Sequence, residues 1–205
     1  MSVKRFLKRV IFAAALVLAL PGIVLCWLEK RATRGETIFV FFAQSAALIP
    51  GAPGVWLRAA FYFGTLERCS WQTHVGFGSM FTHRGGSMAA NASMGSWCVL
   101  GHADLGPGVV MASRVSVPSG KRQHIGEDGH FSVAPVFERV SIGAQTWVGE
   151  GAIILASVGP RCIVSAGAVV TKETGEGCLI GGNPAKVIKQ LDSKLYADAS
   201  EDRAD

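Results

Sequence analysis

The sequence predicts a mainly β protein: a parallel β-helix with an N-terminal membrane helix or hairpin and a short C-terminal α-helix. Three observations predict this class. Aliphatic residues recur at every sixth position, 19 uncharged residues run together near the N-terminus, and a helix-start pattern follows the last repeat. We expect a membrane region at 1–64, a β-helix at 65–182 with an inserted loop at 118–139, and a C-terminal helix and tail at 183–205.

The first predicted element is a membrane anchor. Residues 10–28 read VIFAAALVLALPGIVLCWL, a run about as long as a helix that crosses the hydrocarbon core. Glu29–Arg31 follows the run in place of a small-residue cleavage site, which favours a retained anchor over a signal peptide. Basic residues flank the run on both sides, so the positive-inside rule leaves its orientation open.

A second apolar stretch, at 37–63, carries Arg58 as its single charge and is interrupted by IPGAPG at 49–54. The interruption makes a continuous membrane span a poor fit. We therefore expect an amphipathic or re-entrant hairpin that lies in the membrane interface.

Charge and cysteine usage narrow the function classes. The net charge is +5, and much of the basic excess lies beside the apolar N-terminal run. Anionic lipid is therefore the expected partner, and nucleic acid is not, because the body of the chain lacks a basic stripe with interleaved aromatics. The five cysteines are odd in number and contain no CxxC pair. This pattern favours a reducing compartment over a disulfide framework or a zinc site.

The repeat predicts the β-helix. The aliphatic series advances by six residues, with a single step of five in its first part and a register slip around Gly159-Pro160 in its later part, and most members are followed by Ala or Gly. Its first members are Met88, Met94, Leu100, Leu105, Met111 and Val117, and its later members are Ile142, Val148, Ile154, Val158, Val164 and Val170. Three short strands per coil, each with one inward aliphatic, give a triangular prism. Residues 69–182 supply roughly five coils, enough for a continuous stacked core.

The segment GGNPAKVIKQLDSKLYADAS predicts a closing helix. Asn183 fits an N-cap, and Pro184 fits the first helical position. Val187, Leu191 and Leu195 then recur at a spacing of four residues, which is typical of the apolar stripe of a helix.

The loop at 118–139 interrupts the repeat and contains His124 and His130. A loop of this length inside a compact repeat is usually functional or disordered. Imidazole is the side chain whose unperturbed pKa suits a general base near neutral pH. On residue type alone, either histidine could serve.

The hexad runs, SAGAVVTKE at 165–173 and GGNPAKVIK at 181–189 together resemble the hexapeptide-repeat acyltransferases. Within them, the chain is most similar to the membrane-associated O-acetyltransferases of surface polysaccharides, over about residues 65–192. The resemblance implies a left-handed β-helix, a homotrimer, and acetyl-CoA in a groove between adjacent prisms. It selects His124 as the catalytic base, a little over twenty residues before the WVG turn at 147–149. The chain departs from the commoner pattern because KRQ separates Gly120 from His124.

The resemblance also implies binding residues. Asn91 would contact the acceptor sugar. The coenzyme would be contacted by Trp147, Gly149, Ala166, Gly167, Thr171, Lys172, Lys186 and Lys189. Ordinary solvent-facing charge is an equally good explanation for each lysine taken singly.

The expected function is acetyl transfer from acetyl-CoA to a hydroxyl of a cell-envelope or exopolysaccharide sugar, including a lipid-linked one. The expected location is the cytoplasmic side of the inner membrane. Two alternatives stay open: a longer acyl donor carried on coenzyme A or acyl carrier protein, and a non-catalytic scaffold at the membrane. A zinc enzyme of the same fold is disfavoured because the coils contain no HxxxxH-type pair, and no metal is expected.

Overall fold

The computed structural model describes residues 3–33, 35–126 and 128–192. Over these residues, three α-helices come first and sixteen short strands follow. The helices are α1 (Val3–Ala32), α2 (Thr37–Ala47) and α3 (Gly51–Thr65). The strands are β1 (Arg68–Cys69), β2 (His74–Val75), β3 (Met80–Phe81), β4 (Ser87–Met88), β5 (Ser93–Met94), β6 (Val99–Leu100), β7 (Ala103–Leu105), β8 (Val110–Met111), β9 (Ser116–Val117), β10 (Val140–Ile142), β11 (Trp147–Val148), β12 (Ile153–Ile154), β13 (Ile163–Val164), β14 (Val169–Val170), β15 (Cys178–Gly182) and β16 (Ala185–Gln190).

The strands wind into a parallel solenoid of about six turns. Each turn visits three sheets, which we call A, B and C. Sheet A contains β1, β4, β7 and β10, and sheet C contains β3, β6, β9, β12 and β14. Sheet B contains β2, β5, β8, β11, β13 and β15, with β16 at its edge. The bends between sheets are the A/B, B/C and C/A corners. The predicted parallel β-helix is confirmed, with about one coil more than expected.

The six-residue repeat supplies the core of the solenoid. The repeat residues identified between Met88 and Val170 are all at most 2% exposed. Val75 and Phe81 are fully buried and extend the series backwards by one coil. The small residues after the aliphatics are needed because coils stack closely there. A Cβ added to Gly95, for example, would lie 2.6 Å from the carbonyl carbon of Ala112.

The A/B corner turns through left-handed backbone conformations, with φ of 60° at Asn91, 57° at Gln145 and 55° at Arg161. The backbone N–H groups at this corner donate to the preceding coil: Asn91 to Gln72 and Arg161 to Ala144, each at 2.8 Å. Successive coils are therefore joined by a column of backbone hydrogen bonds that runs along the corner.

Helices α2 and α3 cover the open end of the first coil. The N–H groups of His74 and Gly76 donate to carbonyls of the second coil, so the backbone polar groups of the intervening Val75 face the open end. The carbonyl of Val75 accepts a hydrogen bond from Arg58 Nε at 2.9 Å. Likewise, the N–H of Phe81 donates to the Tyr62 hydroxyl at 3.0 Å. Two side chains on one face of α3 thus satisfy strand groups that would otherwise form an unpaired edge.

Arg58 also joins α3 to the end of α2. Its Nη1 donates to the carbonyls of Ala46 and Ile49 at 2.9 and 2.8 Å, and the side chain is fully buried. The carbonyl of Ala47 accepts from Gly78 at 2.9 Å. Residues 37–65 therefore form a helical cap on the solenoid, and their expected position in the membrane interface stays a prediction.

The described part of the C-terminal segment is a strand, so the predicted helix from Asn183 is wrong over these residues. Strand β16 pairs antiparallel with β15, with Gly182 opposite Ala185 and Cys178 opposite Gln190. The Gly-Gly-Asn-Pro sequence serves as the turn of this hairpin, and β16 covers the last edge of sheet B. Leu195, the third member of the expected apolar stripe, lies outside the described residues.

Candidate active site

The loop at 118–139 leaves the solenoid at the C/A corner after β9 and returns to β10. Backbone hydrogen bonds fold it into a small hairpin: Ser132 N–H donates to the His124 carbonyl at 2.9 Å, and Val136 N–H donates to the Gln123 carbonyl at 2.8 Å. A bridge between Ile125 and Phe131 lies at the centre of the hairpin. His124 is therefore held on ordered backbone.

The His124 ring is held by a contact within its own loop. Its Nδ1 lies 3.2 Å from the carbonyl oxygen of Ser132. A carbonyl oxygen can only accept, so Nδ1 carries the proton and Nε2 presents its lone pair. The ring also stacks on Phe131, with 6.0 Å between centroids. The side chain is exposed, so an acceptor hydroxyl has access to Nε2.

His130 lies at the tip of the same loop and contacts its own turn. Its Nδ1 is 3.1 Å from the Asp128 carbonyl, and its side chain is 84% exposed. These contacts are those of a solvated turn residue, so the geometry favours His124 of the two.

A lysine at the base of the loop reaches a predicted coenzyme residue. Lys121 Nζ lies 3.5 Å from the Thr171 carbonyl. Thr171 and Lys172 follow β14 at the C/A corner, the corner from which the loop departs. The structure thus brings the base of the His124 loop next to two of the expected coenzyme contacts.

A second group of expected coenzyme residues lies along the outer surface of sheet B. Trp147 pairs in register with Ile163, Ile163 with Leu179, and Leu179 with Lys189. The side chain of Trp147 is partly exposed, whereas its neighbour Val148 points into the core. Trp147 and Lys189 therefore mark the ends of one outward row across three strand spacings, about 14 Å.

Lys186 and Lys189 share a face although they are not on a helix. Lys186 pairs with Gly181 and Lys189 pairs with Leu179, two residues apart on β15. Residues two apart on a strand point to the same side, and a bulge between Leu179 and Ile180 accommodates the extra residue of β16. Because Ile180 is buried, both lysines lie on the outer surface.

Two glycines among the expected coenzyme contacts, Gly149 and Gly167, differ in their structural surroundings. A Cβ on Gly149 would lie 2.5 Å from the backbone nitrogen of Ala166, so coil stacking alone requires glycine there. Gly167 has a φ of +68° and no heavy atom within 4 Å of a built Cβ. Its backbone therefore faces open space at the B/C corner and is accessible to a ligand.

Asn91 lies away from both groups. It occupies the A/B corner with a left-handed φ. Asparagine tolerates this conformation better than most residues, so the corner alone explains an asparagine here. It lines a cavity of about 550 Å³ with residues of α1, α3 and the first coils. The structure does not bring Asn91 together with His124.

A histidine–carboxylate pair beside the loop was missed in the sequence. His83 Nδ1 lies 2.6 Å from Glu36 Oε2, and the ring packs on His102 and on Phe137 from the loop. Burial, and then the neighbouring His83, lower the pKa of His102. Because 47 residues separate Glu36 from His83, no local motif could reveal the pair.

Three of the cysteines are not activated nucleophiles. Burial raises the pKa of Cys69 to about 11 and also raises the pKa values of the Cys98 and Cys162 thiols. These thiols are protonated at neutral pH, and the thiol form is a poor nucleophile. The geometry therefore favours direct attack by an acceptor over a covalent acyl-cysteine.

Comparison with solved structures assigns the fold to that of the hexapeptide-repeat sugar acetyltransferases. Galactoside acetyltransferase in complex with coenzyme A superposes with a TM-score of 0.62 and 14% identity, over 78% of this chain and 83% of that chain. The maltose O-acetyltransferase from Clostridium difficile 630 gives a TM-score of 0.53 and 20% identity, over 77% of this chain and 87% of that chain. No family model and no curated protein matches the sequence.

Proposed function

We propose that this protein transfers an acetyl group from acetyl-CoA to a hydroxyl of a cell-envelope or exopolysaccharide sugar, with lipid-linked sugars as the favoured acceptors. The observation that carries the proposal is the orientation of His124, whose Nδ1 is engaged by Ser132 and whose Nε2 is free. Both solved structures described above are acetyltransferases with this fold, and one was determined with coenzyme A.

The reaction is a direct displacement. The acceptor oxygen attacks the thioester carbonyl carbon as His124 Nε2 takes the hydroxyl proton. The C–S bond then breaks, and the imidazolium returns the proton to the departing sulfur. The Ser132 carbonyl supports the protonated ring because Nδ1–H already points at it.

The donor groove is assigned to the outer surface of the last coils. Trp147 would pack along the pantetheine arm, and the backbone at Gly167 is open to close approach. Lys186 and Lys189, on one face of β16, supply cations for the phosphates. Lys172 lies on the C/A corner, across the prism from this surface.

A homotrimer would complete the site. The His124 loop departs from the C/A corner, whereas Trp147, Ala166 and Gly167 belong to sheet B and the B/C corner. One face of the prism, about six residues or roughly 20 Å wide, separates these corners within a chain. The loop exposes two large apolar side chains, Phe131 at 78% and Val133 at 84%. Both features fit a loop that packs on a neighbouring prism.

The trimer is tested with mixed chains. A His124→Ala chain and a Trp147→Ala chain, each weakly active alone, should regain activity when refolded or co-expressed together, because some interfaces then carry both intact halves. Mixing either variant with itself is the control. A fully active monomer in detergent would contradict the shared site.

The proposed location is the cytoplasmic side of the inner membrane. Helix α1 is the described helix that is long and apolar enough to cross a membrane. Acetyl-CoA is a cytosolic metabolite, so the solenoid must face the cytosol. Attachment raises the local concentration of a lipid-linked acceptor.

Mass spectrometry of surface glycans tests the reaction. Cells that lack the protein should lose the mass of an acetyl group from a surface sugar, and wild-type chain but not His124→Ala should restore it. Loss of a longer acyl group would identify the alternative donor. Restoration by His124→Ala would favour the non-catalytic scaffold.

A further inference from the structure

Helix α1 has two faces that are both apolar, and the protein covers one of them. The buried face follows the helical spacing and packs against α2 and α3; it contains Phe12, Ala15, Ala19, Gly22, Ile23, Cys26 and Glu29. Close approach depends on glycine: a Cβ on Gly22 would lie 3.0 Å from Phe42, and one on Gly64 would lie 2.6 Å from Ile23. The helix is therefore part of the packed structure along most of its length.

The opposite face of α1 is exposed and apolar. Its members are 43–75% exposed and recur along the whole helix: Phe6, Leu7, Val10, Val17, Leu18, Leu20, Val24, Leu25 and Leu28. An apolar patch of this extent is rare on the solvent-exposed surface of a soluble protein, and it marks an interaction surface. We call these nine residues the outer stripe.

Both ends of α1 contact the same end of the solenoid. Near the N-terminal end, Arg9 lies over the Trp71 ring at 5.8 Å, and Phe12 packs on the same ring at 6.1 Å between centroids. Trp71 belongs to the A/B corner of the first coil. Near the C-terminal end, Arg84, on the C/A corner, donates to the Glu29 carboxylate at 2.7 Å and to the Cys26 carbonyl at 3.0 Å.

These contacts are incompatible with α1 crossing a bilayer. Twenty residues separate Arg9 from Glu29, so the two lie about 30 Å apart along the helix axis. That distance equals the thickness of the hydrocarbon core, about 30 Å. A spanning helix would place the two residues on opposite sides, whereas here both touch one coil.

The charges at the ends of α1 suit an anionic surface. Lys4, Arg5 and Lys8 lie at one end, and Lys30 and Arg31 lie at the other. The first three line the 550 Å³ cavity beside Trp56 and Trp71, where α1 meets α3 and the first coils. Cations at both ends of an apolar stripe are typical of a helix that lies in the headgroup region of anionic lipids.

We propose that α1 lies in the plane of the membrane and docks its outer stripe on one anionic leaflet, so that the protein is monotopic. This inference rests on the membrane location in the proposed function but not on acyl transfer. It holds the first coil, and with it the prism, against the membrane surface.

The orientation is tested with the full chain in cells. Single cysteines are introduced at the two ends of α1 as Lys4→Cys and Arg31→Cys, and a membrane-impermeant maleimide is applied to inside-out vesicles and to spheroplasts. The unaltered chain measures background from the native cysteines, and detergent-solubilised membranes give full labelling. Both ends should label in inside-out vesicles, and neither should label in spheroplasts.

The outcomes separate the two proposals. Labelling of one end from each side, or of neither end before detergent, overturns the in-plane orientation. Labelling of both ends from the periplasmic side keeps α1 in the plane and overturns the cytosolic donor instead.

Vesicle binding tests the outer stripe itself. Purified full chain should float with preformed vesicles of equal parts phosphatidylglycerol and phosphatidylcholine, and more weakly with phosphatidylcholine alone. Leu18→Lys should weaken binding more than tenfold, whereas the matched control Ile188→Lys, on the exposed strand β16 at the far end of the solenoid, should bind as wild type. Replacing Lys4, Arg5 and Lys8 by Gln should weaken binding to the anionic vesicles by roughly fivefold per charge. If Leu18→Lys leaves flotation unchanged and alters only the oligomeric state, the stripe joins protein chains and the proposal is wrong.

Discussion

Replacing Arg58 by Met should detach the helical cap from the solenoid. The substitution keeps most of the apolar stem but removes donors from the carbonyls of Val75, Ala46 and Ile49, which are bonded at 2.8–2.9 Å. A buried acceptor that loses its donor costs about 1–3 kcal/mol. Three such acceptors would cost about 3–9 kcal/mol, and partial hydration of the two carbonyls at the end of α2 brings the total towards the lower end, about 4 kcal/mol.

The loss should be local because each coil of a solenoid contacts mainly its neighbours. Hydrogen–deuterium exchange followed by mass spectrometry measures this. Amides of α2, α3 and the first coil should exchange roughly a thousandfold faster, which corresponds to about 4 kcal/mol. Amides of β10–β14 should keep their protection.

Two matched variants complete the test. Arg122→Met, in the exposed loop, removes an arginine without a buried bond and should leave exchange unchanged. Arg58→Lys keeps the positive charge and one donor group, so its amide exchange rates should fall between those of wild type and Arg58→Met. Changes below about tenfold in residues 37–65, or equal changes in the last coils, would refute the role assigned to Arg58.

Two further predictions concern stacking and pH. Gly149→Ala should destabilise the protein by about 1–3 kcal/mol in a urea titration because the added Cβ would meet Ala166. Gly175→Ala, whose added Cβ would have open space around it, should be nearly neutral in the same titration. Equal effects of the two variants would contradict the stacking argument. Burial would raise the pKa of Glu36, but hydrogen bonds from the Arg84 N–H and from His83, with their charges, lower it below the usual 4.5. The Glu36 carboxylate therefore stabilises the fold above pH 4.5, and this stability is lost as pH falls through the lower folded pKa. Thermal unfolding should show this acid loss in wild type but not in Glu36→Gln, and an identical pH profile for both would contradict it.

The parts of the fold with a local period were predictable from sequence. Each inward aliphatic, such as Val148, fills the same position in its coil, so a six-residue spacing reports the coil directly. The first coil was harder to see because Phe81 and Met88 are seven residues apart. The step of one extra residue hides Val75 and Phe81 from a strict count.

Features set by distant pairing could not be predicted. The spacing of Val187 and Leu191 fits a helix in isolation, but the backbone of this segment finds partners in β15, which periodicity does not reveal. Arg58 is a charge in an apolar run, and its role depends on the Val75 carbonyl, 17 residues away. The Glu36–His83 pair depends in the same way on how α2 meets the first coil.

The sequence could single out candidate site residues only where they fall on repeat positions or in the inserted loop. His124, Lys186 and Lys189 are such candidates, and their roles stay predictions; the two lysines share a face through a bulge and not through a helical turn. Asn91 lies at the A/B corner, where the left-handed turn alone explains an asparagine. Its contact with the acceptor sugar stays a prediction.

Acyl transfer by the purified full chain tests the central claim most directly. The assay measures release of free coenzyme A from acetyl-CoA by wild type, His124→Ala and His130→Ala. Acceptor glycan is extracted from cells that lack the protein, and coenzyme A affinity is measured on the same protein samples. We predict that His124→Ala lowers the rate by roughly 10²–10⁴-fold at unchanged affinity, and that His130→Ala stays near wild type. Full turnover by His124→Ala, or loss of turnover in His130→Ala alone, would contradict the assignment of His124 as the catalytic base.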